Sequence, residues 1–138
     1  MMQNFLLVDD NPTFAALLKR GFSRRGLTLE WAEDGAGALA IEGEVDGIIL
    51  DLNLGTESGL HLLPVLRRQF IRAGIVVLTG YASISTAVSA VKLGATQYLP
   101  KPADVDTILA AFSQTEISSV ASTDELVPFR PSVRKQSW

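Results

Sequence analysis

Residues 5–12 form the sequence FLLVDDNP, in which four apolar residues run directly into two aspartates. The apolar run does not alternate with polar residues, which is typical of a strand buried on both faces of a parallel sheet. Asn11 and Pro12 then supply a helix N-cap and a proline at the first helical position. This segment therefore predicts a buried strand, an acidic turn and a helix.

The same alternation of strands and helices continues along the chain. Apolar runs at residues 48–50 and 75–78 predict two more buried strands. Residues 27–31 alternate, and residues 97–99 stop at a proline, so both segments predict strands at the edges of the sheet. Helical spacing of apolar residues predicts helices in the remaining segments, at residues 14–22, 36–41, 60–70, 84–91 and 105–112. This order predicts an open parallel α/β sheet covered on both faces.

Two of the predicted helices carry small residues that we expect on the surface. The fourth helix is predicted to bury Val88 and Val91 and to expose Ala90. The fifth is predicted to expose Ala110 and Ala111. These surfaces are candidates for contact with a partner. Trp31, in the second predicted strand, is assigned to packing.

Composition excludes several classes of protein. The 138 residues contain no cysteine, which excludes disulfides and thiolate-held metals. The net charge of −3 gives no overall electrostatic attraction for nucleic acid. There is no apolar run of about 20 residues and no signal peptide, so we expect a soluble cytoplasmic domain. A folded domain is predicted for residues 1–117, and residues 118–138, small, polar and proline-containing, are predicted to be a flexible linker.

Charged and polar residues follow the predicted strands and should meet at one edge of the sheet. Asp9 and Asp10 follow the first strand, Asp51 the third, Thr79 ends the fourth and Lys101 follows the fifth. Ligands bind at this carboxyl edge in open α/β folds. Three carboxylates so close together favour a hard divalent cation, and Mg²⁺ is the predicted one. Three carboxylates, one Mg²⁺ and one lysine sum to zero charge, so the site can accept a phosphoryl group.

These residues, at these spacings, resemble the receiver domain of two-component response regulators over about residues 3–117. The resemblance implies a flavodoxin-like, CheY-type three-layer αβα fold with five helices and the strand order 2-1-3-4-5. It also implies that Asp51 accepts a phosphoryl group from a sensor histidine kinase. No enzyme activity is implied beyond the self-catalysed phosphorylation and dephosphorylation of Asp51.

The resemblance also implies a role for each residue of the site. Mg²⁺ would be held by Asp10 directly, by Asp9 mainly through water, by Asp51 and by the backbone carbonyl of Asn53. Lys101 and Thr79 would contact phosphoryl oxygens, which makes them, with Asp51, the catalytic set. Thr79 and Tyr98 would form the switch that reports phosphorylation. Residues Asn53, Gly80 and Tyr81 would set the lifetime of the phosphate.

A closer resemblance links residues 77–103 to the RegA/PrrA/ActR/RoxR group of redox-linked transcriptional regulators. Members of that group carry a C-terminal helix-turn-helix domain after a proline-containing linker, which residues 131–135 resemble. The implied partners are therefore a histidine kinase, a second copy of the chain on phosphorylation, and DNA through a domain that this sequence does not contain. The implied output surface is the fourth helix, fifth strand and fifth helix; no membrane partner is implied.

Three other functions remain open from the sequence. The chain could be a stand-alone response regulator that acts by protein–protein contact. It could be an Mg²⁺-dependent phosphatase with an aspartate nucleophile, although Asp51-Leu52-Asn53 lacks the second aspartate of that class and follows the wrong strand. A flavin-binding protein of the same fold would need an anion-binding loop after the first strand, where this sequence is acidic.

Overall fold

The computed structural model describes residues 2–55, 58–80 and 84–121. Tyr81 and most of the predicted linker lie outside these residues. Strands and helices alternate through the described chain: β1 Asn4–Val8, α1 Pro12–Arg24, β2 Thr28–Ala32, α2 Gly35–Leu39, β3 Gly47–Leu50, α3 Gly59–Gln69, β4 Gly74–Thr79, α4 Ile84–Lys92, β5 Gln97–Pro100 and α5 Val105–Ala121. Within the described residues, no helix is long and apolar enough to cross a membrane.

The five strands form one parallel sheet in the order β2-β1-β3-β4-β5. This confirms the predicted fold class and places β2 and β5 at the edges, as the sequence indicated. Val8 lies opposite both Ala32 and Leu50, and Thr79 lies opposite Pro100. The strands therefore end together, so the residues that follow them meet at one edge of the sheet.

The core consists of two apolar clusters, one on each face of the sheet. Leu6 and Val8 of β1 contribute to one cluster, and Phe5 and Leu7 to the other. Because alternate residues of a strand point to opposite faces, a strand covered on both sides must be apolar at every position. On the second face, the Phe5 ring packs edge-on against Phe22, with the ring centroids 5.0 Å apart.

The first helix begins where the sequence predicts. The Asn11 side chain accepts hydrogen bonds from the backbone N–H groups of Thr13 and Phe14, at 2.9 and 3.1 Å. Pro12 occupies the first turn, where its missing N–H costs nothing. This cap fixes where α1 starts, and so limits the acidic turn before it to Asp9 and Asp10.

The predicted surfaces of α4 and α5 are partly wrong. Ala90 is fully buried, whereas Val88 and Val91 are 47% and 55% exposed; Ala111 is buried as well. A helix with alanine at its sheet-facing position can approach the sheet closely, and the valines beside it then face outward. Ala110 is exposed as predicted. The helix α5 continues to Ala121, so the proposed domain boundary at residue 117 falls inside a helix.

Candidate functional site

The carboxyl ends of β1 and β3 bring Asp9 and Asp51 side by side. The backbone N–H of Asp51 donates to the Val8 carbonyl at 2.9 Å, which extends the ladder between these strands by one residue. Asp9 is 1% exposed and Asp51 is 6% exposed, whereas Asp10 is exposed. Oxygen atoms of the three carboxylates lie within 4.8 Å of one another. The acidic cluster expected from the sequence is therefore present.

Lys101 supplies the positive charge inside this cluster. Its Nζ donates to Asp9 Oδ2 at 2.8 Å and to Asp51 Oδ2 at 3.2 Å. The same nitrogen lies 4.7 Å from the centroid of the Phe14 ring, a cation–π contact. Burial alone would lower the pKa of Lys101, but the hydrogen bond and charge of Asp9, with those of Asp51, raise it above the usual value. Lys101 therefore stays charged.

The surroundings of Asp51 disfavour the ionised form of its carboxyl group. Burial raises the pKa of Asp51 above that of a free aspartate, and the nearby charge of Asp9 adds to the effect. A hydrogen bond from the Asn53 backbone N–H to Asp51 Oδ1, at 3.0 Å, and the charge of Lys101 act in the opposite direction. A counter-charge beside Asp51 would relieve this cost.

The loop after β3 passes close to Asp10. Gly55 has a φ of +79°, and a Cβ atom built on it would lie 3.0 Å from Asp10 Oδ2. The Gly55 N–H donates to the Asn53 side-chain oxygen at 3.3 Å, which closes a tight turn over the carboxylates. Among the described residues, the acidic side chains gathered here offer carboxylate oxygens as ligands. A donor set of this kind fits a hard cation such as Mg²⁺.

The remaining predicted residues lie around this centre or beyond the described chain. Thr79 is fully buried at the end of β4, and its carbonyl accepts a hydrogen bond from the Lys101 N–H at 2.9 Å. Gly80 follows it, and a Cβ atom there would meet nothing within 4 Å. Tyr98 is half-buried on β5 and packs against the core. Tyr81 lies outside the described residues.

The structure places three further residues at the site that were not predicted from the sequence. Phe14 contacts Lys101, and Gly55 lies where any Cβ atom would press against Asp10 Oδ2. Trp31, which was assigned to packing, donates its indole N–H to the Asp9 backbone carbonyl at 2.6 Å. A glycine two residues after Asn53 could have been recognised as a turn residue. No sequence pattern signals the contacts of Phe14 and Trp31, because both are tertiary.

A parallel α/β sheet whose carboxyl edge carries three carboxylates and a lysine is the arrangement expected of a receiver domain. The response regulator receiver domain family matches residues 5–113, and the chain belongs to that family. The acid tolerance regulatory protein ActR of Sinorhizobium medicae is 43% identical over 114 residues, which cover 81% of this chain and 59% of ActR. The photosynthetic apparatus regulatory protein RegA of Rhodobacter capsulatus is 43% identical over 111 residues, which cover 79% of this chain and 60% of RegA.

ActR and RegA belong to the group of regulators that residues 77–103 resemble, so the predicted resemblance to that group is confirmed. The chain spans about three fifths of the length of these relatives. The similarity therefore covers the receiver part of these relatives.

Solved structures give the same family. A response regulator from Burkholderia pseudomallei, with a phosphorylated aspartic acid, calcium ion and citrate, has a TM-score of 0.78 and 44% identity; the match covers 91% of this chain and 77% of that one. The chemotaxis response regulator CheY4 of Vibrio cholerae has a TM-score of 0.74 and 28% identity, covering 83% and 99%. The CheY-like fold predicted from the sequence is thereby confirmed.

Proposed function

We propose that this chain is a phosphorylation-controlled switch that works in the cytoplasm. Asp51 accepts a phosphoryl group from a sensor histidine kinase, and Mg²⁺ would be held by Asp10 directly, by Asp9 mainly through water, by Asp51 and by the Asn53 carbonyl. The observation that carries the proposal is the position of Lys101, whose ammonium bridges Asp9 and Asp51 within the acidic cluster. The Burkholderia pseudomallei structure, with its phosphorylated aspartic acid and calcium ion, supports the same chemistry.

The side chains of the site divide the work of phosphoryl transfer. A carboxylate oxygen of Asp51 forms a bond to phosphorus as the bond from phosphorus to the donor histidine nitrogen breaks, and the donor leaves with that electron pair. Bound Mg²⁺ would neutralise carboxylate charge and bind a phosphoryl oxygen. Lys101 keeps its bond to Asp9 and turns its remaining N–H groups from Asp51 to the phosphoryl group.

The switch residues act after the transfer. Thr79 moves toward the phosphate, and its hydroxyl donates to another phosphoryl oxygen. Tyr98 then turns inward into the space that Thr79 has left. Gly80 leaves room beside the phosphate, while Asn53 and Tyr81 control the access of water and so the lifetime of the acyl phosphate. Beyond this self-modification of Asp51, we propose no enzyme activity.

Acetyl phosphate, a small phosphoryl donor, tests the site directly. With Mg²⁺, the intact mass should rise by one phosphoryl group, and the Asp51→Asn variant should not gain it. Asp104→Asn is the matched control, because Asp104 is exposed and caps α5 by accepting the Thr107 N–H. Labelling of the Asp51 variant at another residue would overturn the assignment, and catalytic release of phosphate would indicate a phosphatase instead.

The proposed output is self-association through α4, β5 and α5, leading to DNA binding by a domain outside this chain. Exposed Val88 and Val91 give α4 an apolar surface that can be covered by a second copy. Sedimentation should show beryllofluoride, a stable phosphoryl mimic, strengthening association by about 5- to 150-fold. Val91→Lys should remove this increase, whereas Ile71→Lys, at another exposed apolar position outside these elements, should retain it. Equal responses in both variants would place the contact elsewhere.

A further inference from the structure

Asp9 is the most thoroughly anchored residue of the acidic cluster. Its backbone N–H donates to the Ala32 carbonyl at 3.1 Å, and its carbonyl accepts from the Trp31 indole at 2.6 Å. Its side chain accepts from the Asn11 N–H at 2.9 Å and from Lys101 Nζ at 2.8 Å. Two consecutive residues of the edge strand β2 therefore hold both backbone groups of Asp9.

The indole takes the place of a sheet hydrogen bond at the point where the sheet stops. Pairing between β1 and β2 ends at Val8 and Ala32, and Asp34 then caps the short helix α2. Beyond that point β2 has turned away, so the Asp9 carbonyl must find its donor elsewhere. The indole N–H is a donor only and has no other hydrogen-bonding use. Trp31 is 39% exposed, so close burial does not account for its placement.

The hydrogen bond from Trp31 acts on the peptide that joins the two proposed metal ligands Asp9 and Asp10. The carbonyl oxygen of Asp9 belongs to the planar peptide that joins Asp9 to Asp10. Fixing that oxygen fixes the peptide plane and therefore the direction in which Asp10 leaves it. Asp10 is the exposed carboxylate of the cluster, so its placement depends strongly on the backbone. A cation that requires near-ideal octahedral geometry is sensitive to such placement.

We propose that Trp31 is a positioning residue for the metal site, and that its indole N–H orients the Asp9–Asp10 peptide for Mg²⁺. This inference rests on the proposed function. It predicts that Trp31→Phe, which keeps an aromatic ring and removes the donor, weakens Mg²⁺ binding about tenfold, as loss of a hydrogen bond that orients metal ligands does. Trp138→Phe removes the other tryptophan and should leave Mg²⁺ affinity unchanged.

The experiment uses calorimetry for affinity and nuclear magnetic resonance for the bond. In the Trp138→Phe protein, Trp31 is the only tryptophan, so its indole N–H gives a single resonance. That resonance should exchange slowly with solvent despite the exposure of the ring, and it should shift when Mg²⁺ is added. Acetyl-phosphate labelling of Trp31→Phe should be slow at limiting Mg²⁺ and should reach the wild-type rate when Mg²⁺ saturates.

The outcomes separate this inference from the proposed function. If the wild type binds Mg²⁺ and is labelled, but Trp31→Phe binds within twofold of it and the indole resonance does not move, the positioning role is wrong and the phosphorylation site stands. If the wild type neither binds Mg²⁺ nor is labelled, both proposals fail. A rate that stays low for Trp31→Phe at saturating Mg²⁺ would also overturn the positioning role, because the defect would then lie outside metal binding.

Discussion

Replacing Gly55 by alanine separates backbone strain from damage to the proposed metal site. Gly55 and Gly26 have nearly the same left-handed φ, +79° and +73°. A Cβ atom at Gly26 would meet nothing within 4 Å, whereas one at Gly55 would lie 3.0 Å from Asp10 Oδ2. Both variants therefore carry the same backbone strain. Only in Gly55→Ala does the new Cβ atom also press against a carboxylate of the acidic cluster, that of Asp10.

The expected magnitudes follow from that geometry. A non-glycine residue in the left-handed region costs about 1–2 kcal/mol, so both variants should lose that much free energy of unfolding without metal. A contact of 3.0 Å obliges Asp10 Oδ2 to move by a few tenths of an ångström. A metal site must hold its ligands to within about 0.5 Å, and a shift of a few tenths of an ångström uses much of that tolerance. We therefore expect Mg²⁺ affinity to fall about tenfold in Gly55→Ala, as it does when groups that orient metal ligands are disturbed.

Urea denaturation with and without Mg²⁺ measures both quantities. At a Mg²⁺ concentration of about 100 times the wild-type Kd, the metal should stabilise the wild type and Gly26→Ala by about 2.7 kcal/mol. Gly55→Ala, with a tenfold weaker site, should gain only about 1.4 kcal/mol. Equal gains in the two variants would refute the reasoning, because they would show that Asp10 either moves without cost or does not bind the metal.

Two further predictions concern stability. Burial raises the pKa of Asp51 in the folded protein, so its ionisation lowers stability as the pH rises through that pKa. In metal-free buffer at pH 7, Asp51→Asn should raise the free energy of unfolding, and urea titrations should show the gain vanishing below the ordinary aspartate pKa of 3.8. A Cβ atom on Gly21 would lie 2.5 Å from Val105 Cγ2, so Gly21→Ala should lower thermal stability by about 1–3 kcal/mol. Adding Val105→Ala should restore most of that loss; a stable single variant would show that α1 and α5 separate freely.

The fold and the centre of the site could be predicted because both depend on local patterns. A continuous apolar run ending in Asp9 and Asp10, and another ending in Asp51, specify buried strands and the residues at their ends. Parallel topology then brings those ends together, without knowledge of any side-chain contact. The weaker apolar character of two segments predicted which strands lie at the edges, and the full strand order followed from the resemblance to receiver domains.

Other features could not be predicted, because they depend on packing between distant segments. In α4, alanines and valines lie together within one apolar sector of the helix, so apolar spacing did not identify Ala90 as the buried residue. The Trp31 bond joins positions 22 residues apart, and it depends on where β2 turns away from β1. The proximity of Gly55 to Asp10 depends on the path of a loop. Such contacts exist only after the sheet has formed.

The site has an uncompensated negative charge, and Lys101 links it by a hydrogen bond to the end of β4. These two features together suit a switch. Without a cation, three carboxylates and Lys101 leave a net charge of −2. Burial raises the pKa of Asp51 above its usual value. A bound divalent cation would cancel that charge, and a phosphoryl group would then compete with Asp51 for the Lys101 ammonium. The Lys101 backbone N–H is bonded to the Thr79 carbonyl, so any shift of Lys101 acts on the end of β4. Since α4 begins at Ile84, with only four residues between it and Thr79, a shift at the end of β4 lies close along the chain to the helix that carries the exposed valines.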